Sequence, residues 1–282
     1  MTDGTRIRDT VDFARLNTLR DFGVSLSDDS KLRGCGRTFR RGSAGSSREV
    51  LEGVRACRRK WLCPRCGYRA VRDESERLEK LLLEWTTGEG AVGLLTLTQR
   101  HQLGDGLADL WDRLEAGWAA ITRGSGWRTD QNAFGLRGYI RVTEVVHHPS
   151  TGWNVHFHVL LLLDYLLDEG DLDRLKTSLA DRYCRGIESH GGQVALRAQS
   201  LQLMRAGTER YVAWYHCKGT GPLWTRDGSR SPIAILSDLE TNGEGLELWQ
   251  EFTAAVTDQR RVKFSASKNI DALRPRCGRI PY

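Results

Sequence analysis

In Trp153-Asn154-Val155-His156-Phe157-His158-Val159, apolar residues alternate with Asn154, His156 and His158. Read as a strand, Val155, Phe157 and Val159 point one way, and Asn154, His156 and His158 the other. Two imidazoles then stand about 7 Å apart along one face. That spacing suits two nitrogen ligands of one divalent ion. Glu144 precedes His156 by twelve residues, with His148-Pro149-Ser150-Thr151-Gly152 between them. That run is a turn by composition, so a hairpin would offer the Glu144 carboxylate as a third ligand. One carboxylate and two imidazoles with open positions suit Mg²⁺ or Mn²⁺ that must also hold a phosphate. Taken alone, a His-x-His pair also reads as polar residues on the open face of a half-buried strand. His147 and His148 read as turn residues.

A second group lies in Glu209-Arg210-Tyr211-Val212-Ala213-Trp214-Tyr215-His216-Cys217-Lys218. On a helix, Tyr211, Tyr215 and Lys218 share one face. A tyrosine can attack a phosphodiester and form a phosphotyrosine link. A free phenol, with a pKa of about 10, is a poor nucleophile at neutral pH and needs a metal or a cation beside it. Lys218 could steady the phenolate or the phosphate. Without such a partner, the tyrosines read as an aromatic stripe that packs the helix, and Trp214 as a core residue.

The third group is Cys63-Pro64-Arg65-Cys66-Gly67, with Cys57 and Cys35 upstream. Four thiolates fit a closed, tetrahedral, structural Zn²⁺ site that could hold a loop-rich segment in shape. A redox dithiol and four ordinary buried thiols are the rival readings. Cys184, Cys217 and Cys277 read as unligated.

Charge points to a polyanionic partner. The chain of 282 residues has net charge +6, and residues 31–72 hold thirteen Lys/Arg against Glu49 and Glu52. A second basic stretch runs from Arg260 to Arg279. Basic arms around a balanced centre suit a catalytic unit that holds phosphates. Arg58, Arg59, Lys60, Arg65, Arg69, Arg260, Arg261 and Lys263 are the candidate contacts to DNA. Solvated surface charge is the plainer reading of the same arms. No apolar run is long enough to span a bilayer, and Met1-Thr2-Asp3-Gly4 lacks the build of a signal peptide, so a cytoplasmic location is expected.

These groups need elements to position them. Helical periodicity covers Ala70 to Trp85 and Leu107 to Ile121; strands are expected at Ala91–Thr98, Arg137–Val146 and Trp153–Leu163. A helix over Asp171–Ile187, a strand over Gln193–Met204 and a helix from Thr208 to about Lys218 follow. The order β-α-β-β-α-β is that of a ferredoxin-like split βαβ arrangement, class α+β, with an antiparallel sheet and helices on one face. Its other face would be free to bind. The expected divisions are a zinc-binding segment with its helix (1–86), a central domain (87–220) and a basic C-terminal extension (221–282). The extension carries one clear helix, about Leu246–Thr257. The first thirty residues are weakly patterned.

The set resembles the rolling-circle replication initiators of the HUH endonuclease superfamily, of the plasmid type from high-GC Gram-positive bacteria. Leu95-Thr96-Leu97-Thr98-Gln99-Arg100-His101 resembles their first motif, with His101 a candidate DNA contact. Glu144 with Gly152-Trp153-Asn154-Val155-His156-Phe157-His158 resembles the metal-binding motif, and Tyr211 to Lys218 the nucleophile motif. Asn154 stands where many relatives have a further His, and Trp214 where a Lys often precedes the nucleophile. Tyr211 makes this chain similar to the two-tyrosine type. The resemblance implies metal-dependent nicking of one strand at a plasmid origin, with Tyr215 the first nucleophile. It also implies a 5′-phosphotyrosine, a 3′-OH primer, later strand rejoining, and a host helicase and DNA polymerase as partners. A single-strand transposase of the same superfamily and a non-catalytic nucleic-acid-binding zinc protein stay open beside it.

Overall fold

The structure is a computed structural model and describes residues 12–41, 51–218, 225–226, 228–257 and 261–275. It opens with α1 (Phe13–Ser25), a helix the weak sequence pattern hid. The Asp12 side chain caps it by accepting from the Ala14 and Arg15 N–H groups. A short turn, α2 (Ser30–Arg33), leads to Cys35. Strands β1 (Thr38–Arg41) and β2 (Leu51–Val54) then form a separate antiparallel pair. The long helix α3 (Pro64–Thr87) starts inside the cysteine knuckle rather than at Ala70. Pro64 at its first position, where a missing N–H costs nothing, explains the early start.

The main sheet is built on β3 (Ala91–Leu97), β4 (Leu136–His148), β5 (Gly152–Leu163) and β6 (Ser200–Leu203). Between β3 and β4 run α4 (Leu107–Thr122) and α5 (Ser125–Phe134); α6 (Glu169–Glu188) links β5 to β6. After β6 come α7 (Glu209–Lys218), the short strands β7 (Thr225–Arg226) and β8 (Ser229–Arg230), α8 (Pro232–Asn242), α9 (Leu246–Val256) and β9 (Phe264–Ala266). The sheet order is β6-β3-β5-β4-β8-β7, and β9 also pairs with β4. Among the described residues every strand pairing of this sheet is antiparallel, so the chain has a mixed α+β fold around an antiparallel sheet.

Strand alternation sorts the core into two layers. Val155, Phe157, Val159 and Leu161 of β5 join Leu95 and Leu97 of β3 on one face. Against them pack Leu110, Trp111 and Leu114 of α4, Leu175 and Tyr183 of α6, and Trp249 and Phe252 of α9. Gly117 allows α4 to approach α6, since a Cβ there would fall 2.6 Å from the Tyr183 ring. The opposite face carries Val92, Ile140, Leu160 and Leu162, covered by Leu78, Leu82 and Trp85 of α3 and by Val212, Ala213 and Cys217 of α7. This corrects the expectation of helices on one face and a free second face. Helices α3 and α7 close half of that face, because the even-numbered β5 residues past His158 are apolar and need cover.

Two further expectations change. The segment Gln193–Met204 is strand only at Ser200–Leu203. Before it, Leu196–Ala198 forms a 3₁₀ turn, and the buried Gln199 amide takes the place of a ladder pair. Its Oε1 accepts from the Thr98 N–H, and its Nε2 donates to Thr98 O. The C-terminal region holds α8 as well as α9; Ser231 caps α8 and Pro232 begins it.

Candidate functional site

The β4–β5 hairpin has a three-residue turn, Pro149–Thr151, and Gly152 leaves it at φ +76°. That left-handed conformation favours glycine. The hairpin register places Glu144 directly opposite His156, and Val142 opposite His158. Paired residues project to the same face, so Glu144, His156 and His158 converge. Glu144 Oε2 lies 2.7 Å from His156 Nε2 and 2.9 Å from His158 Nε2. The two Nε2 atoms are 3.1 Å apart.

A triangle of this size suits a metal. Cis ligands about 2.1 Å from an octahedral ion are about 3.0 Å apart. The donor set, one carboxylate oxygen and two imidazole nitrogens, suits Mn²⁺, Mg²⁺ or another divalent ion with open positions. Glu144 is buried, which opposes its charge. Hydrogen bonds with His156 and His158 outweigh burial and hold the carboxyl well below its ordinary range. Thr96 Oγ1, 3.4 Å from His158 Nδ1, borders the group from β3. From the opposite face, the Arg141 guanidinium stacks 4.0 Å from the Phe157 ring and bonds both Glu115 carboxylate oxygens. The β5 segment between the histidines is therefore packed on its reverse side.

Helix α7 stands on the same sheet face as this triad, through Val212, Ala213 and Cys217 against Leu160 and Leu162. Tyr211 and Tyr215 are 58% and 48% exposed, so they do not pack the helix onto the sheet. Their rings stack on each other at 5.8 Å and 22°. Trp214 is half-buried. Lys218 ends α7, and its side chain lies outside the described residues.

Cys35, Cys57, Cys63 and Cys66 are all buried and converge. Cys35 Sγ lies 3.6 Å from both Cys63 Sγ and Cys66 Sγ, and Cys57 Sγ 3.5 Å from Cys66 Sγ. A tetrahedral zinc with Zn–S bonds of about 2.3 Å sets its sulfurs about 3.7 Å apart, so the four fit that ion. Gly67 lets the knuckle close: a Cβ there would sit 2.8 Å from Lys60 O. Cys184 and Cys217 lie outside both clusters and form no disulfide, and burial pushes the Cys217 thiol up to about 12. Cys277 lies outside the described residues.

The basic candidates divide. Arg58, Arg59, Lys60 and Arg69 are exposed around the knuckle, and Arg65 is half-buried. Arg59 is held by Asp29 at 2.6 Å. Arg261 and Lys263 are buried. Arg261 donates to Ala255 O and Ala108 O and pairs with Asp112 at 2.8 Å. Arg260 lies outside the described residues. His101 is not part of the triad; its Nδ1 is 3.1 Å from Thr151 O at the hairpin turn. His147 and His148 are the last two residues of β4 rather than turn residues; His147 is buried, 5.0 Å edge-on to Trp153. Sequence reading missed Thr143 and Trp61 as neighbours of these sites; nothing in their spacing signals the contacts.

The family described as Replication protein (Rep_1) matches residues 48–166. A "Neomycin resistance protein" of Streptomyces cyanogenus is 30% identical over 152 residues, 45% of this chain and 34% of that protein. A "Protein rep" of Streptomyces lividans is 30% identical over 147 residues, 43% of this chain and 32% of that protein. The chain thus spans about a third of the length of these curated relatives. No solved structure matches it. Helix α7 lies beyond the family match, which holds Cys57, Cys63, Cys66 and the whole Glu144/His156/His158 triad; over residues 48–166 this chain is similar to the replication proteins.

Proposed function

We propose that this chain initiates rolling-circle replication of a plasmid by nicking one DNA strand at the origin with Tyr215. The observation that carries the reading is the placement of the exposed Tyr211/Tyr215 pair and the Glu144/His156/His158 triad on one sheet face. The strand order β6-β3-β5-β4 supports the ferredoxin-like split βαβ reading of the HUH core. Residues 87–220 would carry the chemistry, with zinc in the knuckle as a structural ion and 221–282 completing the core.

Glu144, His156 and His158 would hold Mg²⁺ or Mn²⁺. When bound, that ion supplies Lewis-acid polarisation of the scissile phosphate. Tyr215 Oη forms a bond to phosphorus as the bond from phosphorus to the 3′ oxygen breaks. The phenolic proton passes to solvent, and the departing oxygen takes one from water. The products are a 5′-phosphotyrosine and a 3′-OH that a host polymerase extends after a helicase opens the duplex. Attack on the phosphotyrosine by a strand 3′-OH reverses the step and rejoins the circle, with Tyr211 serving a second transesterification. Arg58, Lys60, Arg65 and Arg69 hold the phosphates beside the site.

The test is strand cleavage of origin DNA with and without Mn²⁺. Wild-type protein should nick only with the ion, and Tyr215→Phe should lose the initial nick. Wild-type rates in Tyr215→Phe would overturn the assignment of the nucleophile.

A further inference from the structure

The basic C-terminal segment is built into the strand that carries Glu144. β9 pairs with β4, with Ala266 opposite Ile140, Ser265 opposite Arg141 and Phe264 opposite Val142. One residue further, the Thr143 N–H donates to Lys263 O at 2.9 Å. Thr143 Oγ1, fully buried, donates to Val262 O at 2.9 Å. The strap formed by 261–266 therefore reaches the residue next to Glu144.

The knuckle grips the same strap from the other side. Trp61 lies between Cys57 and Cys63, and its Nε1 donates to Arg261 O at 3.0 Å. Lys263 Nζ sits 4.8 Å from the Trp61 ring, and the Lys60 ammonium 5.6 Å from the Phe264 ring. Trp61 is itself wedged edge-on against Trp111 at 5.3 Å and Phe252 at 6.2 Å. A continuous line of contacts thus runs from the knuckle through Trp61 and the strap to Thr143. A metal ligand works only when its support holds it within tenths of an ångström. Without the strap, this stretch of β4 would be an open edge with unpaired backbone groups.

We propose that Trp61 and Thr143 are positioning residues for the metal centre: together they clamp the 261–266 strap on β4 and so hold Glu144 against His156 and His158. The inference rests on reading that triad as a metal site. It assigns the cysteine knuckle a task beyond its own stability, since the knuckle carries Trp61.

The test uses the full chain, a Mn²⁺ titration followed by electron paramagnetic resonance, and amide hydrogen exchange. Trp61→Phe keeps an aromatic ring and removes the N–H donor. Thr143→Val keeps the shape and removes the hydroxyl, and Thr143→Ser restores it. The double variant Trp61→Phe, Thr143→Val should bind Mn²⁺ about tenfold more weakly. Its strap amides should exchange faster, while Thr143→Ser alone stays close to wild type. Faster strap exchange with Mn²⁺ affinity unchanged would overturn the positioning role; unchanged exchange would overturn the clamp. If the wild type bound no Mn²⁺, or still bound it after His156→Ala with His158→Ala, the metal reading itself would fall and this inference with it.

Discussion

Glu144 is the residue on which the triad's charge depends. It is buried and faces two imidazoles through one oxygen. Glu144→Ala should reduce Mn²⁺ affinity by more than the 10–100-fold typical of an outer-shell partner. Isothermal titration of the wild type and variant would show it, and equal affinities would remove Glu144 from the ligand set. Lys263 makes a prediction in pH. Burial lowers its pKa from the ordinary 10.5 to about 7, partly offset by Cys217 and Glu144. Between those values the unfolded chain holds a proton that the folded chain has lost, so this residue makes stability rise with pH across that window. Urea midpoints should therefore improve for wild type relative to Lys263→Met between pH 7 and pH 9.5. A constant difference would mean that the ammonium is hydrated in the folded protein.

At the scale of elements, the knuckle and α3 form one unit, since α3 begins between Cys63 and Cys66. Zinc should bind at one ion per chain and protect Cys35, Cys57, Cys63 and Cys66 from alkylation. Chelation should expose all four and lower the melting temperature; four thiols that react freely before chelation would argue against a bound ion. Cys63→Ser should do the same without a chelator. The strands and helices that the sequence made legible are those with long, regular apolar periods: β3, α4, β4, β5 and α6. The register of Glu144 and His156 was legible too, because a short turn leaves a hairpin few alternatives. Helix α1 was not, since Leu16 and Leu19 are its only large buried side chains. Strand β9 is three residues long and pairs with a strand more than a hundred positions earlier, a contact that no local pattern encodes. Helix α8 had a readable signal, Ser231-Pro232 ahead of the apolar run Ile233-Ala234-Ile235-Leu236, which the expected fold did not use. The exposure of Tyr211 and Tyr215 depended on which face α7 turned to the sheet, which spacing alone left open.

Across the whole molecule, one apolar cluster joins Leu19 of α1, Trp111 of α4, Phe157 of β5, Ile233 and Leu236 of α8 and Phe252 of α9. Arg15 of α1 also pairs with Glu240 of α8 at 2.6 Å. Helices α1, α8 and α9 thus brace the strands that carry the triad. DNA affinity should fall linearly with salt on logarithmic axes, and Arg58→Ala, Lys60→Ala and Arg69→Ala should each reduce the slope by about 1. Slopes equal to wild type would place the DNA elsewhere. The proposed nicking reaction requires the tyrosine helix and the histidine strand to act together. The most direct measurement is to cleave an origin oligonucleotide in Mn²⁺, trap the protein–DNA adduct and map the modified residue by mass spectrometry. The expected result is a 5′-phosphate ester on Tyr215 that disappears when His156 and His158 are replaced by alanine. An adduct on a residue outside α7, or cleavage that survives loss of both histidines, would contradict it.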